Sequence, residues 1–185
     1  MTQPLAPLYG LVLAGGASRR MGQDKAALAL HGRPQLDWAC DTLARHCERV
    51  FVSIRADQQD DPVRRGRPVI VDVHDGAGPI AGIAAAQAAH PDSAWFVLAC
   101  DLPFVDDAAI SHLISRRDGR LVALVAVDVP TFEMSISAFA SIRRKFIIGT
   151  GVALLLQPDP AALDNVNTPE DLQRARGHLG GPPNP

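Results

Sequence analysis

Five near-continuous apolar runs alternate with helical patterns along this 185-residue chain. The runs are Tyr9–Leu13, Val50–Ile54, Pro68–Val71, Trp95–Ala99 and Leu121–Val127. Between and after them, the spacing predicts helices over Gln35–His46, Ile80–His90, Asp106–Arg117 and Thr168–His178. Pro34 stands at the entry of the first helix, and Thr168, Pro169 and Asp171 form an N-cap, N1 and N3 set for the last. Strands apolar on both faces, separated by amphipathic helices, demand a mostly parallel sheet covered on both sides. The expected fold class is therefore α/β, a single three-layer αβα sandwich. No internal repeat and no linker divides it. One domain over residues 1–176 is expected, with a poorly ordered tail over 177–185, where three glycines and three prolines follow from Gly177 onward.

Sheets of this kind bind ligands outside the carboxyl ends of their strands, where the strand order reverses. Three segments fall there: the stretch after Leu13, Asp72 after the third run, and Asp101 after the fourth. The first of them, Leu13-Ala14-Gly15-Gly16-Ala17-Ser18-Arg19-Arg20-Met21-Gly22-Gln23-Asp24-Lys25, holds three glycines, two arginines and a lysine. Glycine lets backbone N–H groups approach an anion without a Cβ in the way, and Arg and Lys add charge-assisted contacts. The chemistry is that of a polyphosphate-binding loop. It is not a Walker A loop, because Lys25 comes three residues after Gly22 and is followed by Ala26, and no Gly-x-Gly-x-x-Gly fingerprint is present. An arginine-rich surface turn is the competing reading of the same residues.

The other segments also admit two readings each. Asp101 follows Trp95-Phe96-Val97-Leu98-Ala99-Cys100, a place from which a carboxylate can hold Mg²⁺ or simply open the turn before Pro103. Pro79 and the Thr168-Pro169 pair are helix-start chemistry whatever the protein does. The histidines are scattered without ligand spacing, and no Ser-His-Asp or Cys-His set can be assembled.

Gly15-Gly16, Arg20-Met21-Gly22 and Lys25 resemble the signature of the small nucleotidyltransferases, and among them the molybdenum cofactor guanylyltransferases. Three further segments are similar to that family and stand in its order: Gly78-Pro79-Ile80-Ala81-Gly82, Cys100-Asp101-Leu102-Pro103-Phe104, and Asn165-Val166-Asn167-Thr168-Pro169-Glu170-Asp171-Leu172. The resemblance runs over about residues 8–176. It implies a Rossmann-like sheet of the nucleotide-diphospho-sugar transferase type and an enzyme that moves GMP from GTP to molybdopterin, releasing pyrophosphate. Arg20, Lys25 and Asp101 are then the implied catalytic residues, with Asp101 as the ligand of Mg²⁺. Leu13, Ala14, Gly15, Gly16, Lys25, Ser53, Asp72, Gly78 and Asp101 are the implied nucleotide contacts. Ser53 stands where relatives often carry asparagine. Asn165 and Asn167 are implied on the acceptor side. Proteins that deliver the cofactor are further candidate partners.

Two alternatives remain at this level. One is a cytidylyltransferase acting on molybdopterin or a sugar phosphate; those usually show Ala-Ala-Gly where this chain has Ala14-Gly15-Gly16. The other is a non-catalytic nucleotide-binding or adaptor protein. The segment 118–163 is its motive: it is short and diverged, Val129-Pro130-Thr131-Phe132 alone matches the family's strand entry, and Ile147-Ile148-Gly149-Thr150-Gly151 stands where relatives carry a Gly-Glu-Arg-Arg-like run.

Charge separates these from other classes. The net charge is −2, with the positive residues gathered locally, so no nucleic acid or anionic membrane is expected as a partner. The three cysteines, Cys40, Cys47 and Cys100, have no metal or redox spacing and fit a reducing compartment. Cys40 and Cys47 are expected on one face of the first helix. No signal-peptide pattern precedes the first strand and no run is long enough to span a membrane, so a cytoplasmic setting is expected.

Overall fold

Among the described residues, strand β1, Leu8–Leu13, stands at the centre of five sheet strands, pairing in parallel with β2, Arg49–Ile54, on one side and β4, Ala94–Ala99, on the other. The three-residue β3, Val69–Val71, extends the sheet beyond β2, and β5, Ala123–Ala126, extends it beyond β4, both in parallel register. The order is β3-β2-β1-β4-β5. The computed structural model describes residues 5–16, 21–72, 78–115, 117, 123–126, 162 and 164–180. The proline-containing and glycine-rich matches within 118–163, and the tail beyond 180, therefore lie outside the described residues.

The two-residue period of the strands sorts the core into two halves. Leu8 and Val12 of β1, Val52 and Ile54 of β2, and Phe96 and Leu98 of β4 face one side. There they meet α1, Gln35–Ala44, through Leu36, Ala39, Cys40 and Leu43, and α3, Asp107–Ser115, through Ala109, Ile110 and Leu113. The intervening residues Leu11, Phe51, Trp95 and Val97 face the other side, where α2, Pro79–Ala89, lays Ala85 and Ala86 against them. Each fully enclosed Leu or Phe contributes roughly 1.5–3 kcal/mol of burial. The result is the three-layer αβα sandwich that the alternation of runs requires.

Helix ends follow local chemistry. The Asp106 carboxylate accepts the Ala109 N–H at 2.8 Å and so caps α3. In α4, Pro169–His178, the Thr168 hydroxyl accepts from Asp171 N–H while the Asp171 carboxylate accepts from Thr168 N–H, so the expected N-cap and N3 residues form a reciprocal capping box. Helix α1 stops at Ala44, two residues before the expected His46, because the amides of His46 and Cys47 both turn back to the Leu43 carbonyl, at 3.0 and 2.9 Å. Cys47 is thus in the closing turn, half-buried, and does not share a helix face with Cys40.

A third apolar cluster decides where the site forms. Met21, Leu28 and Leu30, from the segment after the Gly-rich loop, pack with Val166, Leu172 and Ala175 around α4. This clamp brings the first and last motifs of the chain, about 140 positions apart, to the same sheet edge.

Candidate active site

The strand order reverses between β1 and β4, and the crevice beyond their carboxyl ends is the place such a sheet reserves for a ligand. Hydrogen bonds just past the strands hold its walls in line. Ala14 N–H donates to Ser53 O at 3.0 Å, Cys100 N–H to Leu13 O at 3.1 Å, Asp72 N–H to Ile54 O at 2.8 Å, and Val166 N–H to Asp101 O at 2.9 Å. Gly15, Asp72, Asp101 and Asn167 therefore stand on neighbouring segments of one edge.

Lys25 bridges the crevice. It opens a 3₁₀ turn, Lys25–Ala27, capped by the Asp24 carboxylate on Ala26 N–H at 3.0 Å. Its Nζ lies 2.9 Å from Asp101 Oδ2 and donates to Asn167 Oδ1. Both Lys25 and Asp101 keep about a fifth to a quarter of their side-chain surface exposed, 20% and 24%, so the pair is reachable by a ligand. Two oxygen donors converge on one positive charge here. A hard divalent cation such as Mg²⁺ selects that donor chemistry, taking one or two protein oxygens and completing its shell with phosphate oxygens and water. Among the described residues no group of three His, Cys, Asp or Glu stands together that could hold a metal ion.

A second group lies beyond β2 and β3. Ser53, 2% exposed, donates its hydroxyl to Asp72 Oδ1 at 2.7 Å and so fixes that carboxylate. A Cβ on Gly15 would stand 3.3 Å from Asp72 Oδ2, and a Cβ on Gly82 would stand 2.1 Å from Ser53 Oγ and 3.1 Å from Asp72 Oδ1. Glycine at both positions is what lets loop, strand and helix α2 close around Asp72. Gly78, the N-cap of α2, adopts φ 61° and ψ −150°, a conformation open essentially to glycine alone.

Of the residues singled out in the sequence, Leu13, Ala14, Gly15, Gly16, Lys25, Ser53, Asp72, Gly78, Asp101, Asn165 and Asn167 are all on this edge or on the segments bordering it. Arg20, with residues 17–19, lies outside the described residues, as do His74 and Asp75. The thiol of Cys100, next to Asp101, is fully enclosed and burial pushes its pKa far up, so it is no nucleophile; Cys40 is likewise pushed up to about 11 and Cys47 to about 12.

Three residues that sequence reasoning passes over support the site. His31 contacts the Pro103 carbonyl at 2.9 Å and stacks on Trp38 with ring centroids 4.3 Å apart, bracing the turn that carries Asp101. Burial holds the His31 pKa below its ordinary value, outweighing the contact with Pro103. Arg55 donates to the Gly15 carbonyl, and Arg64 donates to the Ala14 carbonyl at 2.7 Å. In the sequence Arg64 sits in a charged connection, Asp60-Asp61-Pro62-Val63-Arg64-Arg65-Gly66-Arg67, which reads as solvated surface. Only its position after β2, on the ligand-binding edge, could have drawn attention to it.

The model of the MobA-like NTP transferase domain matches residues 10–150. The chain belongs to the MobA-like NTP transferase family. It is a nucleotidyltransferase, and a molybdenum cofactor guanylyltransferase of Cereibacter sphaeroides is 33% identical to it over 193 aligned positions, covering 93% of this chain and 97% of that protein. A molybdenum cofactor biosynthesis bifunctional protein of Synechocystis is 41% identical over 117 residues; that match takes in 63% of this chain but only 34% of the longer relative. Among solved structures, molybdopterin-guanine dinucleotide biosynthesis protein A from Archaeoglobus fulgidus shares the fold with a TM-score of 0.61 at 23% identity, over 93% of this chain and 98% of that one.

Proposed function

We propose that this nucleotidyltransferase transfers GMP from GTP to the terminal phosphate of molybdopterin and releases pyrophosphate. The observation that carries the reading is the convergence of Lys25, Asp101 and Asn167 at the β1/β4 switch point, beside the Gly-rich loop. An oxygen of the acceptor phosphate forms a bond to the α-phosphorus, and the bond from that phosphorus to the bridging oxygen breaks as pyrophosphate departs. Both reactants are anions, so catalysis here is charge neutralisation and in-line positioning rather than covalent chemistry. Lys25, the amides of Gly15 and Gly16, and Arg20 serve the departing pyrophosphate. Asp101 is the residue that would hold Mg²⁺, with Asn167 Oδ1 beside it; a bound Mg²⁺ supplies polarisation of the phosphate oxygens. Asn165 and Asn167 border the acceptor.

The preference for guanine rests on Asp72. Guanine offers two adjacent donors, an N–H and an amine, which a carboxylate can accept together. Ser53 aims Asp72 through its 2.7 Å hydrogen bond, and Gly15 leaves the carboxylate room that an alanine methyl would crowd. Free thiols at Cys40, Cys47 and Cys100 support a cytoplasmic setting. No helix among the described residues is long and apolar enough to cross a membrane.

Pyrophosphate release, measured with each nucleoside triphosphate in the presence and absence of molybdopterin, tests this reading. Release is expected with GTP, Mg²⁺ and molybdopterin together. Release with CTP in place of GTP would make the protein a cytidylyltransferase. No release with any nucleotide, despite active acceptor, would leave a nucleotide-binding adaptor.

A further inference from the structure

Arg64 is the one arginine among the largest fully enclosed side chains of the described residues, with 1% of its surface exposed. A guanidinium is costly to bury unless its donors are matched to acceptors. Here the two terminal nitrogens are matched, while Nε has no partner among the described residues. Nη1 donates to Asp24 Oδ2 at 2.5 Å and to Asp61 Oδ2 at 2.7 Å, and Nη2 donates to the Ala14 carbonyl at 2.7 Å and to Asp24 Oδ1 at 3.2 Å.

The placement of those acceptors matters more than their number. Ala14 is where the chain enters the Gly-rich loop, and Asp24 is where it leaves. One planar guanidinium therefore ties the two ends of the loop together. At the exit, Asp24 caps the 3₁₀ turn that begins with Lys25, so the position of Lys25 depends on the Arg64–Asp24 contact. At the entrance, the peptide after Ala14 is trans, so a carbonyl directed at Arg64 turns the Gly15 N–H the opposite way. Arg55 does the same one residue later: it takes the Gly15 carbonyl, which turns the Gly16 N–H away from it. Two consecutive carbonyls are drawn towards arginines, and the two amides that follow them are turned away from those arginines.

We infer that Arg64 is a positioning residue for the pyrophosphate-binding loop, acting through the Ala14 carbonyl and Asp24 to hold the Gly15 and Gly16 amides and Lys25 in register. The inference rests on the proposed function only in taking the loop as the pyrophosphate site; the identity of the acceptor does not enter. Lysine cannot substitute, because a point charge on a flexible stem lacks the planar fork that reaches Ala14 and Asp24 at once.

The test is calorimetric titration of the full chain with inorganic pyrophosphate and, separately, with GMP, both with Mg²⁺, for the wild type and Arg64→Lys, with circular dichroism to check the fold. Arg64→Lys is expected to weaken pyrophosphate binding about tenfold or more while GMP affinity stays within about twofold. A folded Arg64→Lys that binds pyrophosphate like the wild type overturns the inference. So does an equal loss for both ligands, which is what general loosening of the fold produces, and so does a wild type that binds no pyrophosphate. If Arg64→Lys does not fold, Asp24→Asn takes its place; it keeps Arg64 and an acceptor oxygen but weakens the link to Lys25, and the absence of the same split there overturns the inference. A wild type without turnover on GTP and molybdopterin would defeat the proposed function and leave this binding comparison intact.

Discussion

Lys25 and Asp101 are 76 positions apart in the sequence and 2.9 Å apart in space, and each sets what the other can do. The carboxylate aims the ammonium, and the ammonium holds the carboxylate at the mouth of the crevice. Asp101→Asn keeps the size and removes the charge that would hold Mg²⁺. Turnover is expected to fall about a hundredfold or more, roughly 3 kcal/mol of transition-state stabilisation, with little change in the melting temperature because the side chain lies at the sheet edge. Near-normal turnover at saturating Mg²⁺ would make Asp101 a turn residue. Lys25, Asp101 and Asn167 stood out in the sequence because each lies in a short motif that resembles the family's, although each motif alone also admits a turn or helix-start reading. Arg64 did not, because its partners Ala14, Asp24 and Asp61 come from three separate places and its own neighbourhood is rich in charge. A buried arginine leaves no local pattern. Burial alone would raise the pKa of Asp24, yet the hydrogen bonds from Arg64 and Ala26 N–H outweigh it and hold the carboxyl below its ordinary value, so it is ionised at neutral pH.

Among the elements, α2 has the tightest fit to the sheet edge. Its Ala-rich sequence, Ala81-Gly82-Ile83-Ala84-Ala85-Ala86, offers little side chain, and the close approach this allows brings Gly82 onto Ser53. A methyl at position 82 would meet Ser53 Oγ at 2.1 Å and Ser53 Cβ at 3.0 Å, so Gly82→Ala must displace the helix or break the Ser53–Asp72 hydrogen bond. The expected cost is about 1–3 kcal/mol in denaturant unfolding, as for other overpacked contacts, together with weaker GTP binding. Adding Ser53→Gly should recover part of the stability, since it removes both clashing atoms. A Gly82→Ala protein within about 0.5 kcal/mol of wild type would show that α2 is not seated that closely. The element pattern itself was readable: β1 to β4 each begin one residue away from expectation and end where it puts them, and the capping residues of α4 fall where the sequence puts them. What escaped was the end of α1. Nothing in Arg45-His46-Cys47 breaks a helix, and the chain turns there only because β2 must begin at Arg49 beside β1.

Across the whole molecule, nearly every described contact that shapes the crevice joins distant parts of the chain: Lys25 with Asn167, Arg64 with Ala14 and Asp24, Val166 with Asp101. The loop, the β2–β3 connection and α4 are separate in sequence and meet only in the folded state. A ligand that bridges them binds the native protein and not the unfolded chain, so it must raise stability by mass action. With GTP and Mg²⁺ at about a hundred times the dissociation constant, the gain is about 2.7 kcal/mol. For a chain of this length that corresponds to roughly 5–10 °C in melting temperature. On the proposed role of Asp72 as acceptor of guanine's paired donors, with Ser53 bonded behind it, CTP, ATP and UTP at the same concentration should give smaller shifts. Removing Mg²⁺ with a chelator should take away much of the GTP shift, since the triphosphate would then face Asp101 unscreened. Thermal melts with each nucleotide, with and without chelator, measure both effects in one series. A CTP shift equal to or larger than that of GTP would place the base preference elsewhere than in Gly15 and Asp72. A GTP shift indifferent to the chelator would instead assign the triphosphate's charge to Lys25 and the loop alone, with no metal at Asp101.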